Sequence, residues 1–513
     1  FQMDLMRRVA AGELSGLVGV NAIELDKERR QHRLRAAARQ RINDIDAQKR
    51  SLIEAYAEGV NAGLQSLRAA PFEYMLLRTR TQPWQPEDSF LVLYAMYFQL
   101  NDSDASGDEA YATLHAGLPA LLREFVLNEG TEWDAPLVGG PIPVPPPPGP
   151  DVCDLRKNMK RQYVLHRSAR EAIVARERLG GSNGWAIAGS RTSTGQPIVA
   201  NDMHLDLSVP NIWYRMRLIV EGSGSDEDSL NVTGVTLPGA PAVVAGSNGS
   251  VAWGFTNSNG DWSDLVLLEL DPENPNAYLT PDGYRLFDIY TEKIDVRRSP
   301  TISVTIRSTI WGPVVGEDSR GRLRALRWLA HLPEASNLRI LDLERTSNVS
   351  DAISIAHTVG SPPQNIVLAD SSGNIAWTIM GRIPLRVGYD SRLPTSWADG
   401  QIGWQGWLPP EDYPVILNPA ASAIWTANAR LVEGTALEKI GKGGYRLGAR
   451  AKQIRDSLLE LERATIEDML AIQLDDRALL YDRWRDLLLK VLDSAAVEGN
   501  SRRAALRAEV SRW

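Results

Sequence analysis

The stretch GGSNGWAIA, Gly180 to Ala188, is where the chain changes character. Ahead of it lie helical spacings and a proline-dense run. Behind it lie short segments rich in β-branched and aromatic residues, punctuated by Gly, Pro, Asn and Ser. Trp185–Ala188, Pro197–Val199, Trp213–Val220, Asn231–Thr236, Ala242–Ala245 and Val251–Phe255 are expected to be strands. So are Thr301–Ile310, Asn365–Leu368 and Ile375–Met380. Helices are expected at Asp351–His357 and again from Arg446 onward. Strands with helices inserted and appended imply an α+β layered domain.

Working back from Gly180, the charged stretch Asp154 to Arg178 follows VGGPIPVPPPPGP (138–150). That run cannot donate a helix or sheet ladder and should be extended. The two together read as a spacer lying over a surface. Further back, residues 1–130 read as helical. Ile42, Ile45, Leu52, Ile53, Tyr56, Val60 and Leu64 recur mostly three and four apart, which predicts a helix across Gln31–Leu67 with one buried face. Asp88–Leu100 (DSFLVLYAMYFQL) predicts a second, apolar helix, with Pro86-Glu87 as its start signal.

Composition narrows the function. The chain has 513 residues, 43% hydrophobic and 23% charged, as in ordinary globular proteins. Its net charge of -8 and its lack of basic runs longer than Lys157–Arg161 argue against a nucleic-acid partner. No stretch approaches the roughly 18 uncharged apolar residues of a membrane span. The single cysteine, Cys153, excludes a disulfide framework and a cysteine-based zinc site within one chain.

Chemistry is expected at Ser182. The sequence Gly180-Gly181-Ser182-Asn183-Gly184 contains the pattern of a nucleophile elbow, but an elbow needs a strand before its serine and a helix after it. Here Arg176–Leu179 is charged and Trp185–Ala188 is strand-like. Taken alone, Gly181-Ser182-Asn183-Gly184 reads as a turn, and Gly246-Ser247-Asn248-Gly249 repeats it.

The longer matches go further. GSNGWAIAGSRTSTGQPIVANDMHLDLSVPNIWY, TLPGAPAVVAGSNGSVAWGFTNSNGDWSDL, GRIPLR and NPAASAIWTANAR occur in this order. Over nearly its whole length the chain resembles the penicillin acylase family of N-terminal-nucleophile hydrolases, which includes penicillin, cephalosporin and acyl-homoserine-lactone acylases. The resemblance implies an αββα sandwich with a mainly helical N-terminal part. It also implies three regions: an α-chain-like region at 1–130, a spacer at 131–181 and a β-chain-like catalytic region at 182–513. The head FQMDLMRRVAAGELSGLVG resembles an internal stretch of the family's α-chain, so the sequence is expected to be truncated at both ends.

By the same resemblance the precursor cuts itself between Gly181 and Ser182, giving α and β chains that stay together as a heterodimer. Ser182 then carries a free α-amine, whose ordinary pKa near ~7.7–8.0 suits a base at neutral pH. The resemblance further implies that His204 orients that amine. It makes the Asn257 backbone N–H and the Asn428 side chain the oxyanion donors, and has Arg450 bond to Asn428. Without it, His204 would be a structural hydrogen-bonder, the two asparagines turn formers and Arg450 a solvated helix residue. The acyl pocket is expected at Met96, Leu100, Leu205, Ala245 and Phe255, positions that ordinary core packing would also explain. Leu205 and Ala245 stand where two phenylalanines grip phenylacetyl in penicillin G acylases, which suggests aliphatic acyl chains.

The expected substrate is a small N-acyl amide: the side-chain amide of a β-lactam, an acyl-homoserine lactone or a similar compound. No organic cofactor is expected. A structural calcium is expected at Asp261, Ser263, Asp264 and Glu109, with the Ser391 carbonyl as a further oxygen. The family's additional Asp is absent from Lys439-Ile440-Gly441-Lys442, and the two Asp residues could instead cap turns. The resemblance also implies a periplasmic or secreted protein. Two other readings stay open: an internal-serine hydrolase using His204, His331 or His357 as base, and a non-catalytic relative with a binding role.

Overall fold

The computed structural model describes residues 1–154, 180–205, 207–222 and 229–512. Most of the charged half of the expected spacer, 155–179, lies outside them. The proline-dense run 138–150 contains neither helix nor strand, as its composition requires. Its start is pinned to the strand-rich part of the chain, with Leu137 N and Val138 N both donating to Leu431 O at 2.8 and 3.2 Å.

The sandwich is built on β1 (Gly181–Ile187) and β2 (Ile198–His204), which pair antiparallel. Ala423–Thr426 pairs with the other edge of β1, completing a three-stranded sheet. The facing sheet has seven antiparallel strands. Its order is Val415–Leu417, Ile375–Met380, Gln364–Asp370, β6 (Val251–Asn257), β5 (Ala245–Ser247), β4 (Leu230–Thr236) and β3 (Tyr214–Val220). β1 and β2 lie against β6.

Strand alternation sorts the side chains between layers. Ala186 and Ile424 meet Val367, Ala369 and Trp377 in the core between the sheets. Their neighbours Ile366 and Leu368 face outward onto Ala352 and Ala356 of the helix Val349–Ala356. Trp185, Ile187 and Trp425 face the other way, onto Ile454 and Leu458 of the helix Ala449–Glu460. The order is helix, sheet, sheet, helix, so the protein is an α+β, αββα sandwich. A further five-stranded sheet runs Asp288–Ile294, Ile302–Thr309, Gly312–Glu317, Leu323–Trp328, Ser263–Leu267. Sequence periodicity indicated only its second strand.

The N-terminal part is helical, but Gln31–Leu67 is not one helix. The chain breaks at Ile45, whose ψ is 152°, separating Leu34–Asp44 from Ala47–Ser66. Asp46 causes the break: its carboxylate accepts from Lys49 N at 2.8 Å and caps the second helix. The helix Asp88–Leu100 has the expected bounds. Phe90, Leu91, Tyr94 and Tyr97 enter the same core as Trp328 and Trp377. Beside them His32 Nδ1 and His331 Nε2 meet at 2.9 Å, joining the helical part to the strand-rich part.

Two of the buried histidines are held neutral. Burial drives His331 down to about 3 and His357 down to about 4. Between these values and the ordinary 6.5 the unfolded chain binds protons that the folded chain refuses, so each contributes stability above pH 6.5 that is lost on acidification. Buried carboxyls described below act in the opposite sense, so the check is differential. His357→Gln should lower Tm at pH 7 and narrow its deficit against the parent at pH 5, measured by thermal unfolding. A deficit that stays constant contradicts the neutral-histidine assignment.

Candidate active site

Ser182 sits on β1, its Oγ directed toward the end of β6. The Asn257 backbone N–H donates to that Oγ at 3.1 Å, and Asn428 Nδ2 donates to it at 2.9 Å. The Ser182 backbone N–H donates to Asn428 Oδ1 at 2.8 Å. Both residues are buried, with Ser182 6% and Asn428 2% exposed.

Arg450 settles which end of the Asn428 amide faces the serine. Its Nη2 donates to Asn428 Oδ1 at 3.0 Å. A guanidinium only donates, so the atom it meets must be the oxygen. The other end is then N–H, shared between Ser182 Oγ and Asn257 O at 3.0 Å. Arg450 Nη1 also donates to Ser182 O at 3.0 Å and to Asn183 Oδ1. Burial first, then the nearby charge of Arg446, lowers the Arg450 pKa. Asn428 has a left-handed backbone, φ 65°, and its carbonyl is held by Asn259 Nδ2 at 3.1 Å and Arg446 N at 2.9 Å.

His204 lies directly opposite Gly181 in the β1–β2 register. Its Nε2 meets Asp202 Oδ2 at 2.7 Å. Burial pushes the Asp202 carboxyl up, but hydrogen bonds and charge from His204, with Asn183 and Gln473, outweigh it and lower its pKa. An ionised carboxylate only accepts, so Nε2 carries the proton. His204 Nδ1 faces Gly181, where a Cβ would come within 3.1 Å of it. His331 and His357 lie elsewhere: one against His32, the other bonded to Thr378 Oγ1 at 2.9 Å and stacked on Tyr413. Among the described residues no histidine bonds to Ser182 Oγ.

A cavity of about 120 Å³ opens onto Ser182. Met96, Leu100, Leu205 and Phe255 line it, joined by Leu93, Trp213, Leu237, Val244 and Met380. Ala245 does not. Successive residues point to opposite sides here, and Val244 takes the wall position while Ala245 pairs with Val235 on β4. Asn257 Nδ2 donates to Leu100 O at 2.7 Å, so the residue that supplies the backbone donor also fixes the helix that supplies the wall.

The expected calcium position is a buried acid cluster. Asp261 and Asp264 are within it, but Glu109 is turned away and pairs with Arg324 at 3.3 Å. Its neighbour Asp108 takes that place. Asp108, Asp261 and Asp264 each keep one carboxylate oxygen without a hydrogen bond. Burial raises all three pKa values, and repulsion from neighbouring acids adds to it at Asp108 and Asp264. The Ser263 hydroxyl is bonded to Asp102 O at 2.7 Å. The buried guanidinium of Arg386 lies 3.8 Å from Asp261 and 3.7 Å from Asp264, and also reaches the Asp261 carbonyl. Among the described residues no three acidic, His or Cys side chains converge as a metal-holding group. Arg386 thus brings a positive charge beside these carboxylates, although its Nε and Nη1, like one oxygen of each aspartate, have no hydrogen-bond partner.

A family model described as penicillin amidase matches residues 1–513. An acyl-homoserine lactone acylase, QuiP, of Pseudomonas aeruginosa is 28% identical over 93% of this chain and 56% of its own length. The penicillin acylase 2 proenzyme of a Pseudomonas species is 26% identical over 100% of this chain and 64% of its own. The chain thus spans between half and two thirds of the length of these curated relatives. Among solved structures, a thermostable penicillin G acylase from Alcaligenes faecalis matches with a TM-score of 0.49 and 20% identity, over 63% of this chain and 57% of that one.

The acid cluster yields a stability test. Removing a basic partner from within a buried ion cluster leaves charges unpaired and costs about 3–5 kcal/mol. Arg386→Met should therefore lower Tm sharply, whereas EDTA should leave the parent Tm unchanged. A clear fall in Tm with EDTA, restored by calcium, would show that a metal is needed there.

Proposed function

The chain belongs to the penicillin amidase family, and from that premise we propose that it is the precursor form of an amide hydrolase whose nucleophile is Ser182. It cuts itself between Gly181 and Ser182, and the two resulting chains stay together. One observation carries this reading: two N–H donors, from Asn257 and Asn428, converge on the oxygen of a serine whose own nitrogen is the expected cleavage junction. The relative named a proenzyme supports the processing step.

In the uncut chain the Ser182 nitrogen is an amide and cannot take a proton. Once cut, it is an amine one side chain away from its own hydroxyl. The amine takes the Oγ proton as Oγ attacks the substrate carbonyl. The Asn257 N–H and Asn428 Nδ2 then stabilise the developing oxyanion, worth about 3 kcal/mol each at comparable sites. The protonated amine passes its proton to the leaving nitrogen, and water deacylates the serine by the same route. Asp202 holds His204 through Nε2, leaving Nδ1 turned toward Gly181 at the junction. These steps call on no organic cofactor.

The substrate class is a small N-acyl amide, with acyl-homoserine lactones and β-lactam side-chain amides both within it. The names of the relatives support both. The cavity favours aliphatic acyl groups, because Met96, Leu100, Leu205, Leu237 and Val244 supply aliphatic walls, and among the described lining residues only Phe255 and Trp213 are aromatic.

Two measurements test the reading. Mass spectrometry of the purified full-length protein should find a chain beginning at Ser182, and Ser182→Ala should remain one uncut, inactive chain. An uncut protein that hydrolyses amides at full rate overturns the mechanism. Separately, decanoyl p-nitroanilide should be cleaved with the higher kcat/KM when set against its phenylacetyl counterpart. A strong phenylacetyl preference overturns the aliphatic assignment.

A further inference from the structure

Asn201 stands on β2, opposite Gly184 of β1 and away from the cavity. Its side chain spans the gap between the two sheets. Nδ2 donates to Asn183 O on β1 at 2.8 Å and to Phe255 O on β6 at 2.8 Å. Oδ1 accepts from Phe255 N at 2.9 Å. Both amide protons and the oxygen are thus used, and the orientation of the amide is fixed by its partners. Phe255 offers its N–H and C=O to this side chain although it sits on a central strand.

The anchored groups are close to the chemistry. Asn183 follows Ser182, and Phe255 lies two residues before Asn257, on the same face of the pleat. One side chain therefore links the backbone beside the nucleophile to the backbone beside its N–H donor. Gly254 provides the seat. A Cβ there would come 2.9 Å from Asn201 Cβ, 3.0 Å from Cγ and 3.1 Å from Oδ1. Any side chain at 254 would push the clamp away.

We propose that Asn201 is a positioning residue that sets the 3.1 Å spacing between Ser182 Oγ and the Asn257 N–H. It touches neither substrate nor oxyanion. It acts by holding β1 and β6 at the separation where the donor meets the oxygen of the tetrahedral intermediate. The proposal rests on the Ser182 reading and on Asn257 as an oxyanion donor.

The test uses the full-length protein with two substitutions, Asn201→Asp and Gly254→Ala. The first keeps the shape but replaces both donors with an acceptor facing two carbonyls. The second keeps Asn201 and fills its seat. The fraction of competent sites is counted with phenylmethylsulfonyl fluoride, and kcat is expressed per titrated site. A displacement near 1 Å at a catalytic group costs about 100-fold, so kcat per titrated site should fall by about 10- to 100-fold, with KM within about threefold because neither substituted residue lines the acyl cavity. If Asn201→Asp does not fold, Gly254→Ala carries the test. A lowered Tm with unchanged kcat per titrated site overturns the proposal and leaves Asn201 a simple sheet brace. The Ser182 reading is judged separately, on whether the parent protein contains a chain beginning at Ser182.

Discussion

The arrangement at Ser182 depends on one buried amide. Asn428 places four hydrogen bonds through two atoms: Oδ1 takes Ser182 N and Arg450 Nη2, and Nδ2 gives to Ser182 Oγ and Asn257 O. A buried amide left unpaired costs about 1–3 kcal/mol, so this pairing is strongly enforced. It joins the end of the three-stranded sheet to the end of β6. The left-handed backbone at Asn428 is what turns its side chain back toward β1 rather than onward with the strand. Asn tolerates that conformation better than most residues.

The same economy extends outward. Thr256 Oγ1 donates to Thr426 Oγ1 at 2.9 Å across the sheets, and Asn365 Nδ2 donates to Thr256 Oγ1 at 3.0 Å. Asn365 in turn accepts from Trp377 Nε1 at 3.0 Å. A polar chain thus crosses a core otherwise made of Ala186, Ile424, Val367 and Trp377. Apolar side chains alone give no unique registration between two sheets, whereas directional bonds of fixed length do. The helical part is registered by similar means, through Asn257 Nδ2 on Leu100 O and Tyr97 OH on Ala335 O at 2.6 Å. The acyl cavity forms where these registered pieces meet, which is why its walls come from residues as far apart in sequence as Leu93 and Met380.

Much of this was legible from residue patterns. β-Branched and aromatic content between turn residues found the strands around Ile366 and Trp377, which are buried on both faces, and apolar content found Asp88–Leu100. What escaped has physical causes. Ser263–Leu267 is buried on both faces and shows no alternation. Leu323–Trp328 carries Arg324, which looks like surface until its partner Glu109 is seen. The break at Asp46 is a cap inside an unbroken apolar rhythm. Two single-residue slips, Glu109 for Asp108 and Ala245 for Val244, fall where one position decides the direction: about 100° on a helix and a reversal on a strand. Asn428, Asn257 and Asn201 would each pass for a turn former. Ser182, Asn257 and Asn428 were reached through the family resemblance. Asn201 was quoted within a matching stretch, but nothing local marks it as a bridge between sheets.

The uncut state explains why such rigidity serves this chemistry. In the uncut chain Ser182 Oγ already receives both N–H donors, and its nitrogen is already bonded to Asn428 Oδ1. The site is therefore assembled before the proposed cleavage. An amide nitrogen has its lone pair delocalised into the carbonyl and cannot act as a base. Breaking one bond converts it into an amine at the same position, with the same acceptor in Asn428 and with Arg450 still holding the Ser182 carbonyl. A loosely held serine would have to be reorganised after cleavage. A serine fixed on a central strand gains its base without moving, so the cost of ordering the site is met by folding and not charged to each catalytic turnover.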